Sequence, residues 1–95
     1  MADEEVIDNT SASRFELTVD GHLAELVYRR EGNRLVLAHT EVPDELEGRG
    51  IGGALVIAAI DQAAAQGLTV VPQCPFARGW LERHPDAAGK VTVEW

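Results

Sequence analysis

The chain is short of several things. It has one cysteine, Cys74, one tyrosine, Tyr28, and only 5% aromatic residues in 95 positions. A single cysteine excludes an internal disulfide and suits a reducing cytoplasm, which is the expected location. No apolar stretch approaches the ~18 residues that would span a bilayer, so no membrane role is expected. Basic residues are scarce: 8 against 16 acidic, for a net charge of −8. Nucleic-acid binders carry a basic face, so no nucleic-acid partner is expected. An acidic surface keeps the chain soluble and can draw in a cationic partner such as an amine. The chain contains no internal repeats, low-complexity segments or internal linker.

The length fits one small domain, and 45% apolar residues suffice for a packed core. The opening "MADEEVIDNTSAS" is acidic and polar, unlike a secretory signal. Residues 1–12 are expected to be a disordered lead-in and residues 13–95 the folded domain.

Alternation marks the first strands. Phe15, Leu17 and Val19 alternate with polar neighbours, and Leu23, Glu25 and Val27 continue after Asp20-Gly21. An Asp-Gly pair between alternating runs is a hairpin signal. Glu31-Gly32-Asn33 gives a second turn. "RLVLAHTEV" (34–42) is then a strand central to the sheet, stopped by Pro43. From Ile51 to Gln66, apolar residues recur with helical period: Ile51, Leu55, Ala59 and Ala63, with Val56 and Ile60 beside them. Gly67 is placed for a left-handed cap. "LTVVP" predicts a short buried strand, "PFARGWLERHP" a short helix and "KVTVEW" a last strand. The predicted order is β-β-β-α-β-α-β, an α+β arrangement around a mainly antiparallel sheet.

Four glycines (Gly48, Gly50, Gly52, Gly53) crowd the start of the long helix in "DELEGRGIGGAL". Gly48, Gly50 and Gly53 match the dinucleotide spacing G-x-G-x-x-G, but "PDELE" separates them from the strand and three antiparallel strands precede them. A P-loop is excluded, because no Gly-Lys-Ser/Thr follows. A third reading needs only backbone: unpaired amides at a helix N-terminus attract anions, and glycines let a phosphate approach. The amides of residues 48–53 can wrap a pyrophosphate, with Arg49 adding a charge. One glycine would satisfy a turn that merely packs; four argue for a ligand.

"EGRGIGGAL" heading a helix, after a strand ending in "HTEV", resembles the acetyl-CoA loop of the GNAT superfamily of N-acetyltransferases. Glu47-Gly48-Arg49-Gly50-Ile51-Gly52 fits its Arg/Gln-x-x-Gly-x-Gly/Ala motif except at the first position. "PQCPFARGWLERHPD" is similar to the minimal, free-standing YjdJ-like GNAT-like domains. The resemblance covers residues 14–95. It implies a GNAT-like fold with acetyl-CoA or coenzyme A as cofactor. Val42, Glu47, Gly48, Arg49, Gly50, Ile51, Gly52 and Gly53 would be the binding residues, and the pantetheine arm would pair near His39 to Val42. Asp44, Glu45 and Glu47 oppose phosphates there, by about 1 kcal/mol or less each when screened.

Acetyl transfer to an amine needs a base for the amine and a proton for the leaving thiolate. The family's Asn-x-x-Ala-x-x-Phe-Tyr helix pattern aligns with Cys74, Ala77, Trp80 and Leu81, so its tyrosine is missing here. Three residues are candidates for the chemistry. Cys74 lies near a helix start, which favours thiolate, and in the resembling subgroup a cysteine here has a proposed transfer role; the alternative is a buried small hydrophobe. His39 suits a base, and Glu41, two residues along the strand, shares its face. His22 is expected to be solvated, His84 to cap the last helix, Arg78 and Arg83 to form a solvated face, and Trp80 to belong to the core. No metal site is assigned. The expected function is an acetyl-CoA-dependent N-acetyltransferase acting on an amine of a protein, peptide or polyamine. The alternative is a non-catalytic coenzyme A or acyl-CoA-binding module serving a partner protein. The sequence does not give the oligomeric state.

Overall fold

The computed structural model describes residues 5–95. Five strands form one sheet in the order β1-β2-β3-β4-β5: Ile7–Asn9, Arg14–Val19, His22–Glu31, Arg34–Glu41 and Thr69–Pro72. The first four pair antiparallel, and β5 pairs parallel to β4. Between β4 and β5 lie a 3₁₀ turn (Asp44–Leu46) and helix α1 (Ile51–Gln66); α2 (Pro75–Arg83) and α3 (Pro85–Ala88) follow β5.

The β2–β3 hairpin turns at Asp20-Gly21 with φ of 53° and 78°. Positive φ at both central residues gives the twist that antiparallel strands need. Helix α1 ends at Gly67 in the left-handed conformation, as its sequence predicts. The α1 residues Leu55, Val56, Ala59, Ile60 and Ala63 are buried on Phe15, Leu17 and Val19 of β2, Leu26 of β3 and Leu35 and Leu37 of β4. Ala77 and Leu81 of α2 join the same core. All helix packing falls on one face of the sheet. The other face carries ion pairs such as Arg14 Nη1 to Glu25 Oε1 at 2.9 Å.

The α+β class with a mainly antiparallel sheet stands, but the element order differs at both ends. The expected lead-in of residues 1–12 falls partly outside the described residues, at 1–4. Within it, Ile7–Asn9 is a strand, not disordered chain. Long-range bonds hold it: Tyr28 Oη donates to Asp8 Oδ1 at 2.6 Å, and Asn9 Nδ2 to Glu16 Oε2 at 3.0 Å. At the other end, "KVTVEW" is not a strand but a single parallel bridge, Val70 to Val93. α3 uses up the preceding chain, and only the amides of Val70 and Glu94 complete the link, to Thr92 O and Val70 O at 2.9 Å each.

Candidate active site

The site begins where β4 leaves β5. Their pairing stops at Leu37 opposite Pro72. Proline has no N–H to extend a ladder. The Cys74 amide takes the last acceptor, Leu37 O, at 2.9 Å, and the chain turns into α2. β4 continues to Glu41 with no strand on that side. Among the described residues no backbone group pairs with that edge beyond Leu37.

A bulge changes which side chains face the opening. Val27 pairs with His39 but Tyr28 pairs with Leu37, so Ala38 is the extra residue on β4. A one-residue insertion reverses the alternation of side chains beyond it. Leu35 and Leu37 therefore face the core, and so do Thr40 and Val42. His39 and Glu41 face the helix-free side.

Thr40 and Val42 form one wall of a cavity of about 630 Å³. The loop and the first turn of α1 form another, with Glu47, Gly48, Gly50, Ile51, Gly52 and Gly53. Phe76 and Trp80 of α2 close a third side. Leu46, 1% exposed, anchors the loop in the core. Ala54 N donates to Gly50 O at 3.0 Å, while the amides of Ile51, Gly52 and Gly53 have no acceptor among the described residues. These unpaired donors, at the positive end of a 16-residue helix, border the cavity.

Each of the four glycines has its own reason. Gly48 and Gly50 have φ of 79° and 73°, where other residues are strained. A Cβ on Gly52 would lie 2.6 Å from Phe76 Cζ, and one on Gly53 2.6 Å from Trp80 Nε1. The second pair of glycines thus lets α2 dock its aromatic residues against α1.

Of the residues assigned to the cofactor from sequence, Val42, Glu47, Gly48, Gly50, Ile51, Gly52 and Gly53 line the cavity. Arg49 does not: its Nη1 pairs with Asp20 Oδ2 on the β2–β3 turn at 3.1 Å. Cys74 is the N-cap residue of α2 and is buried, 3% exposed. It does not line the cavity. Its Sγ lies 3.2 Å from Oγ1 of Thr40, which does. His39 Nε2 and Glu41 Oε1 lie 2.8 Å apart, both side chains exposed. The structure therefore brings His39 to Glu41 and Cys74 to Thr40, on opposite faces of β4.

The expected solvation of His22 holds in part: its ring is half-exposed, with Nδ1 3.9 Å from Glu45 Oε1. His84 does stand at the C-cap of α2, where its amide donates to Leu81 O at 3.1 Å. Arg78 reaches the Trp95 carbonyl at 3.0 Å. Trp80, assigned to the core, is half-buried and faces the cavity. Thr40, Phe76 and Trp80 were not legible as lining residues. The i, i+4 spacing of Phe76 and Trp80 was the available signal for the aromatic wall.

The model of the family described as GCN5-related N-acetyl-transferase matches residues 14–90. The chain belongs to this family. The solved structure of a Staphylococcus aureus protein assigned as a GCN5-like N-acetyltransferase superposes with a TM-score of 0.75 at 28% identity, covering 100% of this chain and 94% of that one. Protein NATD1 of Gallus gallus is 38% identical over 63 residues, which is 65% of this chain and 57% of that protein. Protein NATD1 of Homo sapiens is 38% identical over the same length and 56% of its own. The matched part thus spans little more than half of these relatives. The matched segment contains every candidate site residue.

Proposed function

We propose that the protein binds acetyl-CoA in the cavity between β4, the glycine loop and α2, and transfers the acetyl group to an amine. The observation that carries this is the meeting of an unpaired strand edge with unpaired helix-start amides in one cavity. A free strand edge suits an extended chain bearing amides, and the helix start suits a pyrophosphate. The family generally uses acetyl-CoA. Residues 38–42 would hold its amide-bearing arm, and the amides of residues 48–53 its phosphates. When bound, it supplies an activated acetyl thioester.

The chain's own groups supply proton handling. His39 is the base for the acceptor amine, and the Glu41 carboxylate orients the imidazole. The aligned tyrosine position is Leu81, 1% exposed, so no acid stands there. The Cys74–Thr40 pair is the source of a proton beside the cavity. Burial of Cys74 behind Thr40 speaks for this role over covalent acceptance of the acetyl group. The helix-free sheet face leaves room for a protein, peptide or polyamine acceptor.

A second reading has its own observation. Among the described residues, Thr40 and Glu47 are the only ones lining the cavity with a hydroxyl or an ionisable side chain, and neither His39 nor Cys74 reaches the lining. A module that holds coenzyme A thioesters without turnover needs no more than that. Calorimetric titration with acetyl-CoA, followed by an acetyl-transfer assay on an amine panel, separates the two. Micromolar binding with turnover lost in His39→Ala supports the transferase. Binding without turnover on any amine supports the module. No binding at low millimolar ligand overturns both.

A further inference from the structure

A separate cavity, of about 260 Å³, lies at the far end of α1. Among the described residues it shares no wall with the first. Gln66 on its wall is the last residue of α1, about 22 Å along the axis from Ile51 at the glycine loop. The segment from β1 to β2 forms one side, with Asp8, Thr10 and Ser13. Tyr28 and Arg30 of β3 form a second side, and Gln62 and Gln66 of α1 a third. Phe15, Leu35 and Leu68 make an apolar floor. The space is below the roughly 300–1,000 Å³ of sites for drug-sized ligands, so it suits a smaller molecule.

Two opposite charges stand on these walls without meeting. Asp8 accepts from the Tyr28 phenol at 2.6 Å through Oδ1, and its Oδ2 has no partner among the described residues. Arg30 donates from Nε to Gly32 O at 3.2 Å and from Nη1 to Gln66 Oε1 at 3.1 Å. Its Nη2 has no partner among the described residues, and no carboxylate pairs with it there. Neutral groups thus hold each charge in place, and each keeps hydrogen-bonding capacity open. The hydroxyls of Thr10 and Ser13 are further donors on the same walls. Ser13 has φ of 55°, in the left-handed region that costs a serine, and its carbonyl accepts from Tyr28 N at 2.9 Å. Strain of this kind collects at ligand clamps.

A guanidinium takes a carboxylate, and a fixed carboxylate takes an ammonium. The cavity offers one of each. A ligand with both groups satisfies both walls at once, whereas a simple anion or cation leaves one charge unmatched. We propose that this cavity binds a small zwitterion of the α-amino acid class with a short apolar side chain, its carboxylate on Arg30 and its ammonium on Asp8. Its distance from the glycine loop sets it apart from the acetyl-transfer centre, and the inference does not rest on the acetyl-CoA reading.

The test is a nuclear magnetic resonance titration of the isotope-labelled chain with L-valine, with isovalerate, which lacks the ammonium, and with isobutylamine, which lacks the carboxylate. The expected result is saturable valine binding with amide shifts confined to these walls, and about 10-fold weaker binding of each analogue, the scale of one charge-assisted hydrogen bond. Asp8→Asn keeps an acceptor for Tyr28; it should weaken valine by about the same factor and leave isovalerate unchanged. Arg30→Gln should weaken valine and isovalerate and leave isobutylamine unchanged. Absence of saturable valine shifts overturns the inference. So does isovalerate binding as tightly as valine, or either variant binding valine like wild type. Acetyl-CoA titrated into the same chain reads the other site. Binding of acetyl-CoA without valine overturns only this inference, and binding of valine without acetyl-CoA overturns only the acetyl-CoA reading. Thermal melts of each variant establish that an altered affinity is not lost folding.

Discussion

Gly53→Ala sets two well-known terms against each other inside α1. Glycine in a helix interior is less favourable than alanine by about 1 kcal/mol, so on propensity alone the substitution stabilises. The structure opposes this. The new Cβ would stand 2.6 Å from Trp80 Nε1 and 3.3 Å from Trp80 Cε2. The indole has little freedom to retreat, because it is half-buried and stacked on His84. Overpacking of this kind costs about 1–3 kcal/mol. The net expectation is a loss of about 1 kcal/mol, or a fall in Tm of about 4–8 °C for a domain this size. Urea and thermal denaturation read it directly. Trp80→Phe removes the indole nitrogen, so the double variant should lose less than the sum of the singles. Gly52→Ala is the control. Its Cβ meets Phe76 Cζ at 2.6 Å, but Phe76 is 41% exposed and its ring can swing out. That variant should be neutral or more stable. A Gly53→Ala protein that melts higher than wild type would refute the claim that Gly53 exists to admit Trp80.

Two further predictions concern groups the fold has set in place. Burial, and then the hydrogen bond to Asp8, push the Tyr28 phenol up to about 12. A pKa raised on folding stabilises the native state below the unfolded value and loses that stabilisation as pH rises through the folded one. Stability should therefore fall between about pH 10 and about 12, and this component should vanish in Tyr28→Phe. Tyr28 is the sole tyrosine, so the ultraviolet absorbance of tyrosinate follows it alone, and a midpoint near the ordinary value would refute the assignment. Cys74, buried against Thr40, should react with a thiol reagent no faster than the chain opens. Rapid labelling of the native protein, or an acetyl group found on Cys74 after incubation with acetyl-CoA, would restore covalent transfer as its role.

What the sequence disclosed was local. The Asp20-Gly21 turn, the span of α1 and the start of α2 at Pro75 each rest on residues a few positions apart, and each stands in the structure. What it hid was long-range. β1 is three residues, held through a Tyr28 twenty positions away from Asp8. Nothing in "RLVLAHTEV" marks Ala38 as a bulge, because the bulge is a property of the pairing with β3. Yet that bulge decides that Thr40, and not His39, faces the cavity. Arg49 sits within the motif, but its partner Asp20 lies on a turn 29 positions earlier. The end of the β4–β5 ladder was legible in principle, since Pro72 cannot donate.

The glycines show how the same residues mislead and inform. Their density argued for a ligand because a packed turn needs only one. The structure supplies a separate reason for each of the four: backbone conformation at Gly48 and Gly50, and close approach of α2 at Gly52 and Gly53. Glycine count alone therefore carries no claim about phosphate. What bears on a ligand is the consequence of those four choices. The left-handed residues turn the chain so that α1 begins with its amides at the cavity, and the absent side chains bring Phe76 and Trp80 down as its far wall. Residues chosen for packing thereby build the pocket. A Gly50→Ala variant should consequently lose ligand affinity and stability together, because one backbone conformation serves both.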